Sequence, residues 1–287
     1  MFAITGITGQ VGGAVARSLM EAGKDVRAVV RDAGKGAAWK QRGCEVAIAS
    51  LDDAEALKKA FAGAEGVLFV LPPVFDPSPD FDEARRVIAA VREALDATLP
   101  GKVVSLSTIG AQSLRPNLLQ QHLLQEASLS TLPLPVAFLR AAWFMENAAW
   151  DVERARTTGV IPSFLCPLDK PVPMVATADV GHLAAELLQE SWLGKRIVEL
   201  EGGRLTPNEV ALGFARVLGR DVRMEVVPRA SWEALFRAQG MRNPMPRIQM
   251  LDGFNEGWIK FENPDKVRKG VVPLDAVLRE LAVRSSS

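Results

Sequence analysis

The segment TGITGQVGG, Thr5 to Gly13, follows the apolar run Phe2-Ala3-Ile4 and decides how the first half of the chain is read. Gly6, Gly9 and Gly12 give the spacing GxxGxxG after a strand pattern and at the head of a helix pattern. In that context Gly6 permits a tight turn, Gly9 lets the backbone approach a pyrophosphate, and Gly12 lets the helix pack close to the strand. The helix N-terminus offers its unpaired N–H groups to phosphate oxygens. The stretch predicts a dinucleotide cradle; a ligand-free strand–helix turn is the alternative, and the rhythm that follows argues against it.

Through the first 110 residues, β-rich runs alternate with helical patterns: Phe2–Thr5, Val26–Val30, Val46–Ala49, Gly66–Leu71 and Lys102–Leu106 read as strands. Val11, Val15 and Leu19 share one face of the first helix, with Gly23 placed for a left-handed cap. Further helices read from Ala54 to Phe61 and from Phe81 to Leu95, the charges of the latter forming a solvated face. The alternation predicts an α/β fold, a doubly wound parallel sheet with helices on both faces.

A sixth strand, Val136–Leu139, precedes proline-rich text that marks a smaller, mainly C-terminal lobe. Thr177-Ala178-Asp179 reads as the N-terminal cap of a helix over Val180–Glu190, and Ile197–Leu200 as another strand. Thr206-Pro207-Asn208-Glu209 has the capping-box pattern and launches a helix to about Leu218. The expected division is residues 1–140 with 176–202 in the nucleotide-binding domain, and 141–175 with 203–287 in the substrate lobe.

Lysine plus arginine and aspartate plus glutamate each total 34, and no basic block tracks a phosphate backbone, so direct nucleic-acid binding is not expected. Two cysteines and two histidines, far apart, predict neither a disulfide framework nor a metal site. No secretory signal or membrane-spanning run is visible, and a reduced, cytoplasmic setting is expected.

Cofactor choice turns on the end of the second strand. An acidic residue about 20 positions beyond the glycines binds a ribose hydroxyl, whereas an arginine there accepts a 2′-phosphate. The chain has Arg31 followed by Asp32, so spacing alone is ambiguous. Arg31 comes first, with Lys35 as a nearby second cation, which favours NADP(H) over NAD(H). An exposed Arg31 paired with Asp32 is the plain alternative.

With TGITGQVGG, the arginine in VVRD, GVLFVLPP, SLSTIGA and LRAAWFMEN in order, the chain resembles the NmrA-like branch of the atypical short-chain dehydrogenases/reductases. The resemblance extends through Asp179, Glu201-Gly202 and Gly253-Phe254-Asn255-Glu256-Gly257. It implies a Rossmann-type domain with the cofactor across the carboxyl edge of the sheet and a lobe closing a substrate cleft. Thr8, Gly9, Gln10 and Val11 would face the pyrophosphate, and Arg31 the 2′-phosphate. Leu71, Pro72 and Pro73 would flank the adenosine-side ribose and phosphates, and Ser107 and Thr108 the nicotinamide ribose. Trp143, Phe144 and Asn147 would line the cleft. Ser50 departs from the aspartate that relatives often carry near the adenine.

Tyrosine-dependent relatives protonate a reduced carbonyl through Tyr-xxx-Lys, and this chain contains no tyrosine. His122 stands where some NmrA-like reductases place a lysine, in the manner of the quinone-reductase branch. A quinone accepts hydride readily because its ring aromatises, so positioning two flat rings and supplying a proton are the main demands. His122 has the pKa range of such a donor, and Thr108 a hydroxyl; a histidine touching only ribose or solvent is the alternative. His182 reads as structural, beside the packing residues Leu183, Ala184 and Leu187. Among Trp143, Phe144, Trp150, Phe164, Phe254 and Trp258, packing accounts for most, and a few are expected to face a pocket, with Phe75 flanking it from a loop.

Two functions fit: an NADPH-dependent oxidoreductase reducing a quinone or similar electrophilic carbonyl compound, and a redox-sensing protein that binds NADPH or NADP⁺ and acts through a protein partner.

Overall fold

A computed structural model describes residues 1–284. The expected rhythm is realised as β1 (Phe2–Ile4), α1 (Gln10–Glu21), β2 (Val26–Val30), α2 (Ala33–Gln41), β3 (Glu45–Ile48) and α3 (Ala54–Phe61). It continues as β4 (Gly66–Val70), α4 (Asp82–Thr98), β5 (Val103–Thr108), α5 (Gln120–Ser130) and β6 (Val136–Ala141). Then come β7 (Trp143–Phe144), a 3₁₀ stretch (Met145–Asp151), α6 (Val152–Thr157), β8 (Val160–Ser163), β9 (Val172–Val175), α7 (Thr177–Gln189), β10 (Lys195–Glu201) and β11 (Gly203–Leu205). The remainder is α8 (Pro207–Leu218), β12 (Arg223–Val226), α9 (Trp232–Ala238), α10 (Met245–Glu256), β13 (Arg268–Lys269) and α11 (Leu274–Arg284).

Eight parallel strands form the main sheet in the order β13-β10-β6-β5-β4-β1-β2-β3. From β1 the chain winds outward to β3 and then, through α3, to β4 on the other side of β1. Right-handed crossovers therefore put α1 and α2 on one face and α3, α4 and α5 on the other. The central strands are buried on both faces, which is why they read as continuous apolar runs. The order reverses between β1 and β4, and a crevice opens there at the carboxyl ends of the strands.

Local capping rules succeed at several helix ends. Asp32 accepts from the Lys35 N–H at 2.9 Å and caps α2, and Asp53 accepts from the Ala56 N–H at 3.0 Å and caps α3. Thr206 and Glu209 form the expected capping box on α8. The start of α7 differs from the sequence expectation: the helix begins at Thr177, and Thr177 and Asp179 do not cap it from outside. Glu146, 31 residues earlier, accepts the Thr177 N–H at 2.9 Å and the Thr177 hydroxyl at 2.6 Å. Asp179 instead accepts from the N–H groups of Val271 and Val272, both at 3.1 Å, and anchors the C-terminal segment.

Outside the main sheet the chain forms the small sheet β11-β9-β7 and the pair β12-β8, in the part of the sequence expected to form the lobe. Its core includes Phe164 stacked on Phe236 with centroids 5.1 Å apart, and Trp232 at 5.6 Å from Phe164. Among the described residues after 203 the chain returns once to the main sheet, where β13 pairs with β10. No helix among the described residues is long and apolar enough to cross a membrane.

Candidate functional site

The glycine loop is held at the switch point by Thr5. Its buried hydroxyl donates to the Leu68 carbonyl at 3.0 Å and accepts from the Val70 N–H at 2.9 Å, tying β1 to β4. Gly6 then turns the chain at φ +62°, in the left-handed region. A Cβ on Gly12 would stand 2.3 Å from the Gly6 carbonyl oxygen, so only glycine lets α1 approach the turn. Gly9 heads α1 without a side-chain cap, and the first turn has no acidic residue. Thr8, Gly9 and Gln10 are exposed, while Val11 and Gly12 are buried beneath them. This is an N-terminus with its N–H groups free of side-chain acceptors, suited to an anion.

Beside it lies a cavity of about 330 Å³ between the loop, the start of α7 and α11. Glu146 lines it, and burial raises the Glu146 pKa against the lowering effect of the hydrogen bonds from Thr177. The Gln10 amide lies 3.2 Å from the Thr177 hydroxyl and joins the two helix ends.

At the end of β2 the Arg31/Asp32 ambiguity has a structural answer. The Asp32 carboxylate is used in capping α2, whereas Arg31 is exposed and has no hydrogen-bonding or ion-pair partner among the described residues. Ser50 donates to Asp52, so a carboxylate stands two residues beyond the position where relatives often carry aspartate. Leu71, Pro72 and Pro73 leave the carboxyl end of β4. The loop they begin is pinned to the lobe, because the Asp76 carboxylate accepts from the N–H groups of Arg242 at 2.9 Å and Asn243 at 2.7 Å. Those bonds hold its pKa below the ordinary range.

Ser107 and Thr108 are neighbours on β5 with different surroundings. The Ser107 hydroxyl turns inward and donates to Glu126 at 2.6 Å. Glu126 in turn receives the Arg140 guanidinium through two bonds of 2.9 and 2.7 Å, and Arg140 also reaches Glu262 at 2.6 Å. This buried cluster ties β5, α5, β6 and the C-terminal segment together. Thr108 is half-buried at the strand's end, and its hydroxyl has no partner among the described residues.

His122 is half-buried on α5, where desolvation lowers its pKa and favours neutral imidazole. Gln125 spends its amide hydrogens on the Ser105 hydroxyl at 2.5 Å and the Leu106 carbonyl at 2.9 Å. Its oxygen therefore faces His122 Nδ1 at 3.1 Å and assigns the proton to that nitrogen, leaving Nε2 as an acceptor. The sequence expectation gave His122 a donor's pKa range; burial moves that range down.

On the lobe side, Trp143 and Phe254 meet edge to face with centroids 5.2 Å apart. Phe144 and Asn147 are half-buried on the same β7 and 3₁₀ stretch. Phe75, from the pinned loop, meets Trp150 edge to face at 5.8 Å. Phe164 belongs to the lobe core, as packing predicts. His182, exposed at the seam of α1 and α7, lies 3.1 Å from the Ser18 hydroxyl.

The NmrA-like family model matches residues 1–252. The chain belongs to the NmrA-like family. Among its NmrA-like relatives, quinone oxidoreductase 2 of Escherichia coli (strain K12) is 26% identical over 246 residues, covering 84% of this chain and 82% of that protein. The NAD(P)H azoreductase of Xenophilus azovorans is 26% identical over 264 residues, covering 89% and 85%. The crystal structure of Citrobacter sp. triphenylmethane reductase complexed with NADP(H) superposes with a TM-score of 0.79 at 25% identity, covering 98% of this chain and 99% of that one.

Several residues of this NmrA-like site carry little sequence signal. Arg140 could have been noticed as a lone charge inside the apolar strand Val136–Ala141. Glu146 and Gln125 could not, because their partners are distant in sequence or are backbone groups.

Proposed function

We propose that the chain is an NADPH-dependent oxidoreductase that reduces a quinone or a similar planar electrophilic carbonyl compound. The observation that carries this reading is the unengaged Arg31 beside an Asp32 already used as a helix cap, together with an α1 N-terminus free of carboxylate. A guanidinium suits a 2′-phosphate, and the N–H groups of α1 suit a pyrophosphate. Gly6, Thr8, Gly9, Gln10, Val11 and Gly12 would hold the pyrophosphate, and Leu71-Pro72-Pro73 would border the adenosine side. NADPH supplies the hydride when bound.

The protein's part is to align flat rings and manage one proton. Thr108 donates a hydrogen bond to the acceptor's carbonyl oxygen. His122, neutral with its Nδ1–H donated to Gln125, would present Nε2 as a hydrogen-bond acceptor that orients a hydroxyl of the bound cofactor, and the proton that completes the reduction would come from water. Trp143, Phe144, Asn147 and Phe254 wall the acceptor, and Phe75 closes its outer side. The quinone and azo-compound activities named for the relatives support this substrate class.

The test follows NADPH absorbance with a panel of quinones, alongside calorimetric titration with NADPH and NADP⁺. Turnover is expected, with kcat reduced about tenfold or more in Thr108→Ala and in His122→Ala. Tight cofactor binding with no turnover on any acceptor would make the chain a redox sensor acting through a protein partner. Failure to bind either cofactor would defeat both readings.

A further inference from the structure

Arg247 on α10 is a half-buried cation with no carboxylate partner among the described residues. Its guanidinium carbon lies 4.7 Å from the centre of the Phe236 ring, 5.7 Å from Phe75 and 5.9 Å from Trp150. Its polar contact is the Met241 sulfur, at 3.9 Å. Three acidic residues of neighbouring elements are engaged elsewhere: Asp76 takes backbone N–H groups, Asp252 pairs with Arg229 at 2.6 Å, and Glu233 with Arg237 at 2.8 Å. Asp151, next to Trp150, makes no hydrogen bond or ion pair among the described residues, and burial raises its pKa, which disfavours its carboxylate form. Desolvation lowers the Arg247 pKa, as expected of a half-buried charge that has ring faces but no carboxylate beside it.

The surrounding rings are placed for a ligand. Phe75 is 41% and Trp150 61% exposed, an unusual cost for two large aromatic groups in contact. Phe75 comes from the loop after β4 and Trp150 from the 3₁₀ stretch after β7, so the pair joins two segments far apart in sequence. Arg247 and Phe254 are seven residues apart on α10, nearly two turns or roughly 10 Å along one face. One face of the helix thus carries Phe254 and, two turns earlier, a guanidinium without a carboxylate partner that rests on the buried Phe236 ring and beside the exposed Phe75 and Trp150 rings.

We propose that Arg247, with Phe75 and Trp150, binds an anionic substituent on a planar substrate, so that the preferred acceptors carry a sulfonate, carboxylate or phosphate group. The inference rests on the reductase reading for its substrate but not for its binding chemistry. A guanidinium recognises such oxyanions through paired N–H donors, and its stacking between rings presets its plane.

The decisive comparison is NADPH-dependent reduction of 1,2-naphthoquinone and of 1,2-naphthoquinone-4-sulfonate by the unaltered protein and by Arg247→Met. The ratio of kcat/KM for the sulfonate to that for the neutral quinone is expected to fall about tenfold or more in the variant, through KM. An unchanged ratio would mean that Arg247 only staples the loop to the lobe, and would overturn the proposal. Arg247→Lys, which keeps the charge without the fork, should retain an intermediate ratio and serves if the methionine variant folds poorly. Calorimetry of naphthalene-2-sulfonate, which cannot be reduced, with the NADP⁺-loaded protein separates the two inferences. Binding that weakens in either variant upholds the anion site even if no quinone turns over; no binding, or binding equal in all three proteins, overturns it.

Discussion

Two helix N-termini meet beside the glycine loop. That of α7 is filled from within the protein: the Glu146 carboxylate takes the Thr177 N–H and hydroxyl. That of α1 has no side-chain cap and no acidic residue in its first turn. The helices behind these ends pack so closely that a Cβ on Gly181 would stand 2.3 Å from the Ala14 Cβ. The dipole and the orphan N–H groups are the same in both. What differs is whether the fold supplies the anion, and that difference separates a structural helix end from one available to a ligand.

The comparison breaks most severely at Gly12. Gly12→Val would drive a side chain into the Gly6 carbonyl, and calorimetry is expected to find no NADPH binding, whereas retained affinity would show that the α1 end is not the phosphate site. Next in size, Arg31→Ala is expected to weaken NADPH about 10- to 100-fold while changing NADH less than about twofold. Equal losses for the two cofactors would remove the 2′-phosphate assignment.

At the other helix, Glu146→Ala is expected to cost about 1–2 kcal/mol of stability, read in denaturant unfolding, with little change in cofactor affinity. Glu146→Gln keeps an acceptor and should lose much less. Because burial raises the Glu146 pKa, the stability linked to its protonation is fullest below the unfolded value of 4.5 and declines as pH rises through the folded one, while its hydrogen bonds from Thr177 remain. The glutamine variant should therefore gain relative to the parent as pH increases, and a parallel pH dependence would refute this.

Asp151, in the same 3₁₀ stretch, sharpens the contrast because it heads α6 without making a cap bond. Desolvation pushes its pKa from 3.8 to about 6, so the stability it contributes is complete at low pH and lost as pH rises through about 6. Asp151→Asn is expected to raise Tm by about 2 °C at pH 8 and to leave it unchanged at pH 4. Thermal melts at the two pH values decide it.

Much of this architecture was legible in the sequence because its causes are local. Strand patterns located seven of the eight strands of the parallel ladder to within one or two residues but missed β13, two charged residues with no apolar pattern, and the Thr206–Glu209 box located the start of α8. The glycine spacing marked the turn that carries Gly6 at positive φ. The start of α7 was misplaced because its capping group lies 31 residues away on another element. Ser107 and Thr108 looked equivalent, yet the first is drawn into the buried Arg140–Glu126 cluster and the second is left half-buried with its hydroxyl unpartnered among the described residues.

The sequence by itself determined the winding of the sheet, the glycine turn and the absence of a tyrosine-based proton donor, since hydrophobic period, glycine spacing and residue type act within a few residues or not at all. Tertiary structure decided how the charges are spent. Asp32 was free to cap a helix or to meet Arg31, and His122 to be cation or neutral imidazole. Arg247 could have been paired or left among rings. Each outcome depends on which groups distant elements bring within about 3–6 Å in a low-dielectric setting, where one neighbour changes a charge's cost by several kcal/mol.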